Sequence, residues 1–269
     1  MFYNAKNHHV EIDGDSTDFI SFGKGDKNLV IIPGVGDGLK TAKGLAIPFA
    51  LMYRLFAKDF TVYVMSRKNN IPENYNTRQM AKDMHKVLTF MGVKKTSVVG
   101  VSMGGMIAQY LAIDFPDFVE RLVLTVTLSR PNDVVKERCE TWIKAAEAKD
   151  YESIMKDSAI YSYSDEYLRK NKFMLNVISK IGAPKSFERF ITFSKACTTH
   201  NSYEEIKKIF CPTLVIAGKQ DKIVTYGASE EIAAKIPNAK LKTYEKYGHA
   251  LYEEAKDFNK VVYDFCCGE

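Results

Sequence analysis

Three side chains of this 269-residue sequence have the types and the order needed for nucleophilic catalysis. Ser102 lies at the centre of Gly-Val-Ser-Met-Gly, a G-x-S-x-G pattern, and Asp221 and His249 follow it along the chain. A serine hydroxyl is a poor nucleophile unless a base takes its proton and a third group orients that base. The sequence therefore predicts Ser102 as nucleophile, His249 as general base and Asp221 as the group that orients the imidazole.

The residues on either side of Ser102 predict an abrupt turn from strand to helix. A β-branched run, 96–101, comes before the serine, and an apolar, helix-prone run, 103–110, comes after it. Gly100 and Gly104 lack a Cβ, so neighbouring backbone can pass close to such a turn. The hydroxyl would then lie at a strand tip and at a helix N-terminus, where negative charge is stabilised.

Asp221 and His249 are each expected to follow a strand. The apolar run 212–218 ends three residues before Asp221, and the run 239–244 ends five residues before His249. The carboxyl ends of parallel strands meet at one edge of a sheet, which is where open α/β sheets bind ligands. We therefore expect the three side chains to converge at that edge.

Other residues were weighed for the same roles. Asp133 follows the predicted strand 122–126 and is a rival for the acid, whereas His85 lies within a predicted helix and is a poor candidate base. His200 ends a helical region and could line a pocket. A dinucleotide-binding reading fails because Ser102 occupies the place of the second glycine in G-x-G-x-x-G.

A glycine-rich turn is expected to supply an oxyanion hole. The buried strand 29–32 runs directly into Pro-Gly-Val-Gly-Asp-Gly over 33–38. The backbone N–H groups of Val35 and Met103 are the predicted donors to the oxyanion. Such a donor contributes about 3 kcal/mol to transition-state stabilisation in studied enzymes.

The wider pattern indicates an α/β fold with an insertion. After an N-terminal hairpin, strands and helices alternate, which predicts a mostly parallel sheet with right-handed crossovers and flanking helices. Residues 1–128 and 210–269 would form this core, and residues 129–209, which contain no buried strand, would form a helical cap. The cap is expected to consist of four helices: Val134–Ala148, Tyr151–Ile160, Asp165–Ile178 and Lys185–Thr198.

These motifs resemble the α/β-hydrolase superfamily along nearly the whole chain. The resemblance rests on Pro33-Gly-Val-Gly, Gly100-Val-Ser-Met-Gly-Gly, Gly218-Lys-Gln-Asp and Gly248-His. Many members have His-Gly where this chain has Pro33-Gly34. Many also have an Asp-x-Arg-Gly-x-Gly loop where this chain has Ser66-Arg-Lys-Asn-Asn, which retains only the arginine after an expected strand over 60–65.

The resemblance implies a capped serine hydrolase that cleaves a small to medium carboxylic ester or related acyl compound without a metal or an organic cofactor. An acyltransferase and a carbon–carbon bond hydrolase use the same three groups and stay open as alternatives. A non-catalytic small-molecule binder with the same fold is a third. The expected partner is a small acyl substrate, and the sequence assigns no oligomeric state.

Composition argues against several other classes of protein. The net charge is +5 and the lysines are scattered, which does not suggest nucleic acid as a partner. No apolar stretch approaches membrane-spanning length, and the first residues lack the apolar segment of a signal peptide, so no membrane role is expected. Five unpatterned cysteines are typical of reduced thiols, which predicts a cytoplasmic protein.

Overall fold

A computed structural model describes residues 2–268 and contains one eight-stranded sheet with the order β1-β2-β4-β3-β5-β6-β7-β8. The β1–β2 hairpin and the β2–β4 pair are antiparallel, and all other neighbouring strands are parallel. The strands are β1 (Lys6–Ile12), β2 (Asp15–Phe22), β3 (Lys27–Ile32), β4 (Phe60–Lys68), β5 (Thr96–Val101), β6 (Val119–Thr125), β7 (Thr213–Gly218) and β8 (Ala239–Tyr244). This is the predicted α/β-hydrolase arrangement of a mostly parallel sheet.

Ten α-helices are found within residues 2–268, and those outside the insertion cover the two faces of the sheet. Inner strands such as β5 and β7 are buried on both faces because helices cover both faces of the sheet. In β5, for example, Val98 packs into the core on one face and Val99 into the core on the other. The helices are α1 (Ala46–Met52), α2 (Thr77–Phe90), α3 (Met103–Asp114), α4 (Asp133–Glu147), α5 (Tyr151–Ser162), α6 (Asp165–Ile178), α7 (Glu188–Thr199), α8 (Tyr226–Lys235), α9 (Leu251–Glu254) and α10 (Phe258–Cys267).

Four consecutive helices, α4 to α7, separate β6 from β7. Their bounds agree within three residues with the helices expected from the sequence. Helix α4 packs on α7, and α7 also contacts the glycine-rich turn after β3. No helix among residues 2–268 combines the length and the apolarity that crossing a bilayer demands.

Three local expectations were wrong. Strand β4 runs on to Lys68, so Ser66 and Arg67 are buried strand residues rather than a loop. The sequence over 43–58 predicts one helix, but the structure has α1 followed by a short 3-10 helix, Arg54–Ala57. The sequence over 252–266 also predicts one helix, but the structure divides this region into α9 and α10.

Candidate active site

Ser102 occupies a strained position between β5 and α3. Its backbone has φ 54° and ψ −122°, a conformation that residues with a side chain rarely adopt. Neighbouring groups hold it there: its N–H donates to Thr125 O over 2.9 Å, and its carbonyl accepts from Thr127 Oγ1 over 2.7 Å. The turn therefore raises the hydroxyl above the sheet edge.

The glycines of the G-x-S-x-G pattern are required by close packing. A Cβ on Gly104 would lie 1.9 Å from Ile32 O, and one on Gly100 would lie 2.5 Å from Gly104 O. Both clashes are with backbone, which cannot move aside as a flexible side chain can. The pattern thus lets α3 start directly against the end of β3.

The structure brings together the three side chains predicted from the sequence. The Ser102 hydroxyl lies 3.0 Å from His249 Nε2, and His249 Nδ1 lies 2.9 Å from Asp221 Oδ2. Asp221 and His249 are both buried. Each distance lies within normal hydrogen-bond length.

Asp221 is itself held by the backbone that follows β7. Its Oδ1 accepts from the N–H groups of Ile223, over 2.8 Å, and Val224, over 3.0 Å. With Oδ1 occupied in this way, Oδ2 is left facing the imidazole. A neutral His249 then donates from Nδ1–H to Asp221, and its Nε2 accepts the Ser102 hydroxyl proton.

The two predicted oxyanion donors lie beside the serine. Met103 is the first residue of α3, whose first-turn N–H groups have no intrahelical acceptor. Val35 begins a short 3-10 helix, Val35–Gly38, and lines the same cavity as Ser102. Their amides suit a developing negative charge because α3 also directs the positive end of its dipole to this point.

A buried polar network supports the turn that carries Val35. Arg67, fully buried, donates from Nη2 to Pro33 O over 2.5 Å, and burial lowers the pKa of its guanidinium. Arg189 of α7 donates to Asp37 Oδ2 over 2.8 Å and to the carbonyls of Asp37, Arg67 and Lys68. The turn is therefore fixed both from β4 and from the helical insertion.

A cavity of about 330 Å³ lies over Ser102 and His249. Its lining includes the glycine-rich turn with Lys40 and Thr41, and residues of α1, α4, α5 and α9. Tyr163 Oη donates to Glu253 Oε2 over 2.6 Å at its margin. Aromatic side chains on its lining are Phe49, Tyr53, Trp142 and Tyr252.

The rival residues lie elsewhere. Asp133 is fully exposed at the start of α4, and the His85 ring stacks on Phe115 at 3.7 Å. His200 does not line the cavity over Ser102; it is buried between the hydroxyls of Thr77 and Ser202. Burial lowers its pKa to about 3, so its imidazole is neutral.

Sequence reasoning missed the residues that support the site. Asp37 lies inside the glycine-rich turn that was read only for its backbone, and Arg189 lies far along the chain in the insertion. Arg67 and Arg189 both approach the Asp37 carboxylate, but they are far apart in the sequence, so no short sequence motif could predict this cluster. Within residues 2–268 no group of three or more His, Cys, Asp or Glu side chains is arranged to hold a metal ion.

Residues 27–256 match the family of the alpha/beta hydrolase fold. The matched segment covers most of the chain and includes Ser102, Asp221 and His249. This chain belongs to the α/β-hydrolase family.

Individual relatives are more distant. A protein of Caulobacter sp. (strain K31), named "Putative carbamate hydrolase RutD", is 26% identical over 202 residues, which are 74% of this chain and 75% of that protein. A 2-hydroxy-6-oxononadienedioate/2-hydroxy-6-oxononatrienedioate hydrolase of Pseudomonas sp is 25% identical over 66% of this chain and 65% of its own. The solved structure of MGS-M2, an alpha/beta hydrolase enzyme from a Medee basin deep-sea metagenome library, superposes with a TM-score of 0.84. It covers 97% of this chain and 98% of its own at 20% identity, which shows the fold alone.

Proposed function

We propose that this protein is a serine hydrolase that cleaves carboxylic esters through an acyl-enzyme on Ser102. The observation that carries the proposal is the hydrogen-bonded series from Ser102 Oγ through His249 to Asp221, at the floor of a cavity. A serine with a base in reach, and a base with an orienting carboxylate, has the geometry of an activated nucleophile.

In the acylation step, Ser102 Oγ attacks the ester carbonyl carbon and its proton passes to His249 Nε2. The carbonyl oxygen becomes an oxyanion, which accepts from the N–H groups of Val35 and Met103. The imidazolium then gives its proton to the leaving alkoxy oxygen, and the carbon–oxygen bond breaks. Asp221 stabilises the imidazolium throughout and keeps its own charge.

In the deacylation step, His249 Nε2 takes a proton from water as the water oxygen attacks the acyl carbon. The tetrahedral intermediate collapses, Ser102 Oγ leaves with the proton from His249, and the carboxylic acid is released. No step needs a metal or an organic cofactor. We propose that residues 129–209 act as the cap that shapes the substrate cavity, because α4 and α5 form part of its wall.

The test is labelling with a fluorophosphonate, followed by peptide mass mapping, on the wild type and on Ser102→Ala. We expect an adduct on Ser102 in the wild type and none in the variant. A folded wild-type protein that a small fluorophosphonate also leaves unlabelled would contradict the proposal and favour a non-catalytic binder. Hydrolysis of a panel of simple esters then establishes turnover.

Carbamate hydrolysis is a second candidate, and the name of the Caulobacter relative favours it. A carbamate has an acyl carbon that Ser102 can attack in the same way, so the panel includes a matched phenyl carbamate and phenyl ester. Acyl transfer is separated by product analysis with added alcohols or thiols. We also propose a cytoplasmic location, in keeping with five cysteines that are all free thiols.

A further inference from the structure

A second and larger depression lies beside the cavity over Ser102. It measures about 1220 Å³ and runs between α5 and α6; we refer to it as the α5–α6 groove. No residue of α6 is buried, although this helix carries several large apolar side chains. The apolar residues that line the groove include Ala159, Ile160, Phe173, Met174 and Ile178.

The exposure of these side chains is large. The Phe173 side chain is 82% exposed and Ile160 is 56% exposed, and Met174 and Ile178 are also exposed. Four cationic residues, Lys156, Arg169, Lys170 and Lys172, stand among the lining residues. A contiguous apolar patch with a charged rim marks a surface that binds something apolar.

The groove adjoins the catalytic cavity. Ser158 and Glu253 line both spaces. The end of α5 is joined to the histidine loop, since Ala250 N donates to Ser162 O over 2.9 Å. The groove therefore adjoins the catalytic cavity at α5 and α9, the helices next to the loop that carries His249, and no residue of the glycine-rich turn lines it.

The side on which the groove opens bears on which half of an ester it can hold. His249 Nε2 must give its proton to the leaving alkoxy oxygen, so the leaving group has to lie on the histidine side. The oxyanion lies on the other side, at Val35 and Met103. An alkyl chain attached to the leaving oxygen is thus directed past Ser158 and Glu253.

We propose that the α5–α6 groove binds the hydrocarbon chain of the leaving alcohol, so that the preferred substrates are esters of medium- to long-chain alcohols. The inference rests on the function proposed for Ser102. The catalytic cavity, at about 330 Å³, is at the lower end of the range for ligand pockets. A long chain must therefore extend beyond it, and the groove is the adjoining apolar space.

The first experiment compares acetate esters of alcohols from two to ten carbons. A fully buried methylene changes kcat/KM about fourfold, and a methylene that buries half its surface changes it about twofold. We expect about a twofold rise per methylene along this series. A matched series of ethyl esters with acyl chains of increasing length is expected to show no comparable rise, and a rise confined to that series would overturn the assignment.

Variants separate the groove from the reaction. Phe173→Ser removes the most exposed apolar side chain of the groove, and Ala159→Trp fills the groove beside Ser158. Both are expected to flatten the dependence on alcohol length while ethyl acetate turnover stays the same. Phe90→Ser is the matched control, since Phe90 is 67% exposed on α2 and does not line the groove. Equal chain-length dependence in all four proteins contradicts the proposal.

Binding gives a readout that does not depend on turnover. Trp142, the single tryptophan, lines the catalytic cavity, so its fluorescence can follow binding of 1-decanol and ethanol to Ser102→Ala. We expect 1-decanol to bind more tightly, with the difference lost in Phe173→Ser, which keeps Trp142 as the single tryptophan. If fluorophosphonate fails to label Ser102 but 1-decanol still binds more tightly than ethanol, the proposed hydrolase function is refuted and the groove remains a binding site for an alkyl chain. A self-association that Phe173→Ser abolishes would instead assign the groove to a second copy of the chain.

Discussion

Replacing Arg189 by methionine is expected to destabilise the fold and slow the reaction, because it removes the main partner of a buried charge. The Asp37 side chain is 1% exposed, and its Oδ2 accepts from Arg189 Nη2 over 2.8 Å and from the Arg67 N–H over 3.2 Å. Its Oδ1 has no partner within residues 2–268. Arg189→Met thus leaves a carboxylate that water cannot reach.

The magnitude follows from what remains around Asp37. Removing one member of a buried ion pair costs about 3–5 kcal/mol. Arg67 Nη1 stays 3.7 Å from Asp37 Oδ2 and retains part of the attraction, so we expect a loss near the lower limit, about 3 kcal/mol. Val35 lies two residues before Asp37, and an ångström of movement in its N–H can lower kcat by about 100-fold.

The assay is urea denaturation of four proteins: wild type, Arg189→Met, Asp37→Asn and the double variant. Asparagine is neutral, so the double variant should be more stable than the sum of the single losses predicts, by about 1–3 kcal/mol. Arg130→Met is the control, since the Arg130–Glu231 pair is half exposed and contributes about 1 kcal/mol or less. A loss below 1 kcal/mol in Arg189→Met, with kcat unchanged, would refute this reasoning.

Three further predictions test the turn, the triad and the buried histidine. Gly104→Ala should lower the free energy of unfolding by more than about 3 kcal/mol or prevent folding, because the new Cβ would meet Ile32 O. Gly227→Ala should be tolerated, because a Cβ there meets open space. Urea denaturation of both variants tests this. Asp221→Asn should keep the fold and lower kcat by about 10⁴-fold, since an amide favours the wrong tautomer of His249, and steady-state kinetics beside circular dichroism measures it. The pKa of His200 is about 3 in the folded state and about 6.5 in the unfolded state. The unfolded state therefore binds the proton first, and stability is lost as the pH falls below 6.5. From pH 7 to pH 5 the free energy of unfolding of the wild type should fall by about 2 kcal/mol more than that of His200→Gln. Parallel slopes for the two proteins would contradict that account.

The convergence of Ser102, Asp221 and His249 could be predicted because the local sequence indicates where each one lies in the fold. Ser102 needs a strand before it, a helix after it and glycines around it, and all of these appear within a dozen residues. Asp221 and His249 each follow a strand closely, so the topology of a parallel sheet brings them to one edge. The hydrogen bond between Asp221 and His249, and the bonds from the Ile223 and Val224 N–H groups to Asp221, are visible only in the folded structure.

The supporting network could not be predicted because its members are distant in sequence. Arg67 was placed in a loop because Ser66-Arg-Lys-Asn-Asn is polar, yet tertiary pairing extends β4 through it. A polar residue can be buried only where it finds hydrogen-bond or ion-pair partners. For Arg67 these partners are Asp37 and the carbonyl of Pro33, which are distant in sequence.

Two parts of the chain contribute to the site: the strand ends of the sheet and the helices between β6 and β7. The strand ends of the sheet carry Ser102, His249 and Asp221, while α4, α5 and α6 contribute lining residues to the cavity and the adjoining groove. Arg189 is the exception, because it reaches from α7 into the turn that carries Val35. Under the proposed function, we expect changes in α5 and α6 to alter which ester fits without disturbing the reaction. Changes in α7 should also act on the turn that carries Val35, a proposed oxyanion donor, so we expect specificity to vary in one half of the insertion and to be constrained in the other.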